Sequence, residues 1–345
     1  MNAVEPVQEN GLLKELYFGT YQRLFLFWAE LLSTIFNITV YSFACNLELN
    51  SKLDVYALCR TVLNIILPAS RFILISILVK SKEIASYFDN LYAIGVHQDH
   101  QLKRFITRKQ LYKNIVFLTL LIIKFVILLC GFVEKSSNPV WRKVFYFIML
   151  SIQSVIYFFI LREIVDVCIH LQAAFKLVNS KVSSLVNNQS INLESLLCCR
   201  RYYSYAVKAT KSVENYFRYF VTFFYLQYAC YNIMNIVDAF GGRSSMNIYW
   251  MFYTIHDTLL TIYLTVNLVS INYLSRESLD NLYELSFKMK RMDMKYENEI
   301  FIGRVLFTDV GFTFANLFTI NTQFIASMFT LSLTIILALA NFLYQ

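Results

Sequence analysis

The sequence predicts an all-α, polytopic membrane protein, and three observations carry that prediction. Hydrophobic residues make up 57% of the chain and charged ones only 16%, against about 25% in ordinary soluble domains. The mean hydropathy is +0.49. Long runs nearly free of Asp, Glu, Lys and Arg reach the roughly 20 residues that a helix needs to cross hydrocarbon. They lack the strict alternation of barrel strands, and in lipid only helices or closed barrels satisfy the backbone.

Seven such runs are present, at 24–46, 55–79, 115–132, 144–161, 219–239, 247–272 and 324–343. Residues 1–23, with Glu5, Glu9 and Glu15, lack the apolar core of a cleavable signal and read as an N-terminal segment in the cytoplasm. The second, fourth and sixth connections carry 21 Lys and Arg residues, and the first, third and fifth carry five. Positive connections stay inside, so the N-terminus is expected in the cytoplasm and the C-terminus outside, with the chain in the plasma membrane as a multi-pass protein. The organisation expected is a six-helix bundle with cytoplasmic extensions over 24–272, a cytoplasmic anchor segment over 273–323, and a last helix with an external C-terminus over 324–345. Within 277–317, apolar positions such as Leu282, Leu285 and Val305 alternate with charges, which predicts helix packed on one side. The only prolines are Pro6, Pro68 and Pro139, so no cytoplasmic connection contains a helix breaker and the flanking spans are expected to continue inward as helices.

The last span carries Gln323, Ser327, Thr330, Thr334, Ala338 and Asn341, spaced 4, 3, 4, 4 and 3, so polar and small groups form one stripe along one helix face. Two readings fit it: a seam against another helix, or a wet stripe lining a pore, which demands several copies around a common axis.

At this point the sequence resembles a known family. The stretch Gly311-Phe-Thr-Phe-Ala-Asn-Leu-Phe-Thr-Ile-Asn321, followed by Thr334-Ile335-Ile-Leu-Ala-Leu-Ala-Asn341-Phe342, is similar to the C-terminal signature of insect gustatory receptors. The family pattern within the last helix is Thr-Tyr, five apolar residues, then Gln-Phe; here Ile335 replaces the Tyr and Asn341 the Gln. The match covers the end of the chain, while the derived topology agrees with the family's over its whole length. The resemblance implies a ligand-gated, non-selective cation channel of four like or related subunits that responds to small-molecule tastants. It further implies that the last helix lines the pore and that Asn341 and Phe342 form the gate. The abundance of Phe and the scarcity of charge lean toward bitter-type ligands.

Two ionisable residues lie deep in spans, Lys124 and Asp257, about 12 and 15 Å below the outer surface at 1.5 Å per residue. Their similar depth allows them to meet, and two readings fit them: a bridge between helices or a ligand contact. A pocket in the outer halves of the spans would draw on Arg60, Asn64, Tyr146, Gln153, Gln227, Tyr231, Trp250, Tyr253 and Asp257. Glu30 and Arg71 form a second candidate pair.

No metal or cofactor is expected. The four His residues have no ligand spacing, and the seven Cys residues form no metal or redox pattern. No catalytic grouping or phosphate loop appears, so no enzyme is predicted. The net charge of +8 follows from the basic cytoplasmic connections, which suit anionic membrane lipid and need no nucleic acid. A G-protein-coupled receptor would require the opposite orientation, and neither Asp-Arg-Tyr after the third span nor Asn-Pro-x-x-Tyr in the seventh is present. A secondary transporter would require repeated halves.

Overall fold

The computed structural model describes residues 82–134, 140–187, 192–240 and 247–344, together with isolated helical positions between 28 and 38 and between 62 and 73. For 132–134, 141–143, 145, 146, 237–240, 247–250, 335, 336 and 338–344, and at positions 82 and 332, only the backbone is described.

Among the residues described from 82 onward, eight helices and one small hairpin follow in order: α1 Lys82–Ile94, α2 His100–Glu134, α3 Val140–Asn187, α4 Leu193–Phe240, α5 Asn247–Arg276, α6 Leu279–Lys288, α7 Met292–Phe307, β1 Thr313–Phe314, β2 Phe318–Thr319 and α8 Thr322–Tyr344. The third to seventh expected spans fall inside α2, α3, α4, α5 and α8. The first two lie mostly outside the described residues, as do Pro68, Glu30 and Arg71. Among the described residues, three helical stretches are long and apolar enough to cross a membrane, His100–Gly131, Phe147–Asn187 and Met251–Lys288.

Length separates span from extension. Each of α3 and α4 has 48 residues, about 70 Å of helix, more than twice the thickness of a hydrocarbon core. Along the spans the helices expose apolar rows, Ile115, Leu118, Ile122, Val126 and Leu129 on α2 and Met251, Ile255, Leu259, Ile262 and Val266 on α5, as lipid-facing surfaces do. Beyond the inner surface the surroundings of α3 change. Leu161, Ile164, Val165, Cys168, Leu171, Ala173, Phe175 and Val178 are all fully buried, so this half of α3 is the axis of the core. Helices α2, α4, α5 and α6 pack around α3, and α1 lies along α4. Tyr203 of α4 meets Phe175 edge-on and Phe301 at a tilt, with ring centroids 6.0 and 5.5 Å away. Burial there pushes its phenol up to about 12, so it stays neutral.

Polar side chains fasten the inner ends to one another. Asn179 Nδ2 donates to the Leu274 carbonyl (2.9 Å) and to Glu277 Oε2 (2.8 Å). Asn298 Nδ2 donates to the Leu282 carbonyl at 2.8 Å, tying α7 to α6. Arg200 of α4 pairs with Glu297 of α7.

One expectation needs correcting. Residues 277–317 are not helical throughout: the segment breaks at Met289 and gives way to the hairpin after Phe307. The hairpin pairs Thr313 with Thr319 and Phe314 with Phe318. Ala315 (φ 52°) and Asn316 (φ 61°) form its left-handed turn, closed by Leu317 N–H to the Phe314 carbonyl at 2.9 Å. A Cβ on Gly311 would lie 2.9 Å from Thr319 Cγ2, which explains a glycine at the start of the signature.

Candidate functional site

The hairpin delivers the chain into α8. Thr313 Oγ1 donates to Glu214, and the Ala315 N–H donates to Thr222 Oγ1 at 2.8 Å, so the hairpin is bolted to α4. Asn321 then caps α8, its Oδ1 accepting from Phe324 N–H at 2.9 Å. Phe324, buried in the first turn, meets the ring of Tyr225 edge-on at 5.2 Å, and the Tyr225 hydroxyl lies 2.7 Å from Thr265 Oγ1 of α5. Tyr225 therefore joins α4, α5 and the root of α8.

Beyond that root, most of the described side chains of α8, up to Leu337, are uncovered in the single chain. Gln323, Ser327, Thr330 and Thr334 are exposed on one side, and Ile325, Phe329, Leu333 and Leu337 are exposed elsewhere around the helix. Thr330 and Thr334 donate to the carbonyls of Ala326 and Thr330, each at 2.9 Å, so neither hydroxyl needs a partner from another helix. Ala338, Asn341 and Phe342 continue the helix, and their side chains lie outside the described residues.

Within the bundle, Lys124 of α2 and Asp257 of α5 are brought together, with Nζ 3.1 Å from Oδ1. Lys124 Nζ also sits 3.4 Å from the centroid of the Tyr253 ring. The third member of the group is His256. Its Nε2 lies 3.0 Å from the Leu120 carbonyl, which only accepts, so Nε2 carries a hydrogen. Its Nδ1 lies 2.9 Å from Asp257 Oδ1, and that contact holds a second hydrogen, carried by ring or carboxyl. The carboxyl group is thus shared by a lysine and a histidine in the middle of a span.

The other pocket residues are distributed. Gln153 on α3 and Gln227 on α4 both lie outward of the stacked Tyr157 and Phe224 rings (5.8 Å), and Gln153 Nε2 and Gln227 Oε1 are buried without a hydrogen bond. Tyr231 is half-buried one turn beyond Gln227. Tyr146 and Trp250 are helical with side chains outside the described residues, and Arg60 and Asn64 lie outside them altogether. Among the described residues, no group of His, Cys, Asp and Glu is placed to hold a metal, and Cys130, Cys168, Cys198, Cys199 and Cys230 are free thiols.

Comparison with solved structures identifies the architecture. The chain has the fold of an insect olfactory receptor. It superposes on the olfactory receptor OR5 of Machilis hrabei, solved in complex with eugenol, with a TM-score of 0.68 over 97% of this chain and 92% of that one, at 12% identity. A second structure of the same receptor gives 0.67 over 96% and 91%, again at 12% identity. No protein-family model and no curated protein matches the sequence. Likeness at this identity establishes the fold, an all-α polytopic membrane architecture.

Two parts of the site escaped the sequence. His256 stands alone, with no second histidine at ligand spacing, and only the crossing of α2 and α5 makes it a partner of Asp257. Lys113 and Asp166, a buried pair joining α2 to α3, are 53 residues apart, and Lys113 reads as one more basic residue of a cytoplasmic connection. Gln110 Nε2 adds a bond to the same carboxylate at 3.3 Å.

Proposed function

We propose that the chain is a subunit of a chemosensory, ligand-gated, non-selective cation channel of the insect gustatory type, acting in the plasma membrane on small-molecule tastants. Four copies, identical or related, would surround a central pore. The observation that carries this reading is α8, a spanning helix whose polar residues Gln323, Ser327, Thr330 and Thr334 and apolar residues Ile325, Phe329, Leu333 and Leu337 are all exposed in the single chain. Such a helix is stable when copies of it face one another across water and turn their apolar sides to protein and lipid. The fold shared with an insect olfactory receptor supports the reading, as does the signature from Gly311 to Asn321 followed by Thr334 and Phe342. In this account Gln323, Ser327, Thr330, Thr334 and Ala338 line the pore and Asn341 with Phe342 closes it. The N-terminus lies inside, and 273–323 is the anchor by which subunits meet.

The cytoplasmic surface supports assembly independently. Phe287 is 88% and Phe307 is 89% exposed, and Met292 and Leu317 are also bare, on elements that lie outside the bilayer in this topology. Large apolar groups in water call for a protein partner, here a second copy. The ligand would enter the bundle from outside, near Gln153, Gln227, Tyr253 and the Lys124–His256–Asp257 group.

Whole-cell recording from a heterologous cell, with tastant panels and with G-protein signalling blocked, tests the function. Agonist-evoked cation current is expected to persist under the block, and Asn341→Ala or Phe342→Ala is expected to alter basal current or selectivity. A response abolished by the block would overturn the proposal.

A further inference from the structure

The contact between α4 and α5 is polar along its length, and its two ends differ. On α4, Tyr225, Tyr228, Asn232 and Asn235 are spaced 3, 4 and 3, and on α5, Thr254, Thr258, Thr261 and Thr265 are spaced 4, 3 and 4, so each set shares one helix face. At the inner end the two rows satisfy one another. Thr265 donates its hydroxyl to the Thr261 carbonyl at 2.6 Å, so Tyr225 is the donor in the 2.7 Å contact to Thr265. Tyr228 donates to Thr258 Oγ1 at 3.3 Å, and Thr261 donates to the Asp257 carbonyl at 2.8 Å.

One turn outward this pairing stops. Asn232 is 6% and Asn235 is 2% exposed, yet neither polar atom of the Asn232 amide has a hydrogen bond, and Asn235 Nδ2 has none either. Thr254 Oγ1 is also buried without a partner, and it does not bond back to its own helix as Thr261 and Thr265 do. A buried amide left unbonded costs about 1–3 kcal/mol for each group, so three such side chains on two facing rows are not ordinary packing. They fit a site whose occupant completes the bonds.

We propose that the outer α4–α5 seam, formed by Asn232, Asn235 and Thr254, binds a neutral, multiply hydroxylated small molecule. The chemistry selects that class. The three side chains are uncharged, so nothing there compensates an ion. Asn232 offers a donor and an acceptor side by side, the complement of two adjacent hydroxyls, with a second amide donor at Asn235 and a hydroxyl of either sense at Thr254. An apolar ligand would leave all of these atoms unpaired. The seam leads inward to Tyr225, which touches both Thr265 and Phe324, so occupancy at the outer end is felt at the root of α8. This deepens the chemoreceptor reading and rests on it for what binding achieves, although binding itself does not require conduction. It also replaces the bitter-type lean of the composition with a polar ligand.

The test uses the full chain in lipid nanodiscs and reads its thermal midpoint against myo-inositol, glucose and sorbitol, with cyclohexanol as a single-hydroxyl control. At least one of the three polyols is expected to raise the midpoint saturably at millimolar concentration while cyclohexanol does not. Asn232→Leu, Asn235→Leu and the isosteric Thr254→Val are each expected to weaken that dependence roughly tenfold. Thr254→Val serves even where an Asn variant fails to fold. Polyols also stabilise proteins by exclusion from the surface, an effect that is linear in concentration and indifferent to these substitutions. A purely linear shift, no shift with any of the three, or a saturable shift unchanged in the variants would overturn the site. A saturable shift with no evoked current in cells would keep the site and remove the channel reading.

Discussion

The inner and outer halves of the helix bundle contain similar residues and use them oppositely. Inside, charge is paired and buried: Lys113 with Asp166, Arg200 with Glu297, and amides bonded to backbone carbonyls at helix ends. Buried orphan atoms occur there too, among them the hydroxyls of Tyr87, Tyr203 and Ser278, but the inner His170 and Asn298, which each leave one atom unpaired, bond through the other. Outside, Asn232 bonds through neither atom, and Gln153 Nε2, Gln227 Oε1, Asn235 Nδ2 and Thr254 Oγ1 are buried without a hydrogen bond. Local stability is drawn from satisfied contacts, and sites that must accept a ligand come from the less stable end. On the proposed reading the contrast separates a frame from a receiver, with α8 hung at the junction through Tyr225 and Phe324.

The sharpest way to break the comparison is to strike the frame. Asp166→Ala strands a buried ammonium at Lys113, which is expected to cost about 3–5 kcal/mol and to abolish folded protein at the cell surface, read by surface labelling. Near-normal abundance would mean that the inner half is not the frame. The Lys124–His256–Asp257 group, at the edge of the receiver, is expected to matter less. An unpaired charge at mid-span costs about 2.5–3.5 kcal/mol, so Lys124→Gln and Asp257→Asn should each lower abundance severalfold, and the double neutral variant should recover most of it. Exchanging the two charges should not fully recover it, because an aspartate at 124 removes from position 257 the carboxylate that meets His256 Nδ1. Full recovery on exchange would show that His256 is a bystander.

Smaller effects sharpen the junction. Gly311→Ala brings a methyl group to within 2.9 Å of Thr319 Cγ2 and should destabilise by about 1–3 kcal/mol, seen as a lower thermal midpoint of the purified protein. The left-handed Ala315, at φ 52°, predicts the reverse for Ala315→Gly, a gain of about 1 kcal/mol.

Much of this architecture is legible in composition and spacing. The spans follow from apolar run length, and the inward continuation of α3 and α4 from the absence of proline. Similar depth permits Lys124 to meet Asp257, but which spans cross and which faces they turn to each other is set by the packing of α2 on α5. The hairpin is not legible in this way, because an Ala-Asn turn lacks the Asn-Gly or Asp-Gly pattern that marks its kind. The α4–α5 seam is periodic in the sequence but hidden among 24 Tyr and 31 Phe. Only the structure shows which polar atoms of the seam are bonded and which are left over.

The central claim, that α8 presents its polar row to water shared between subunits, is tested most directly by cysteine substitution. Thr330→Cys and Thr334→Cys, with Cys130 and Cys230 replaced to clear the background, are expected to react with a charged, membrane-impermeant thiol reagent in the agonist-bound state and to block current. Phe329→Cys and Leu333→Cys are expected to be spared. Equal reactivity of both sets, or none at 330 and 334, would contradict the claim.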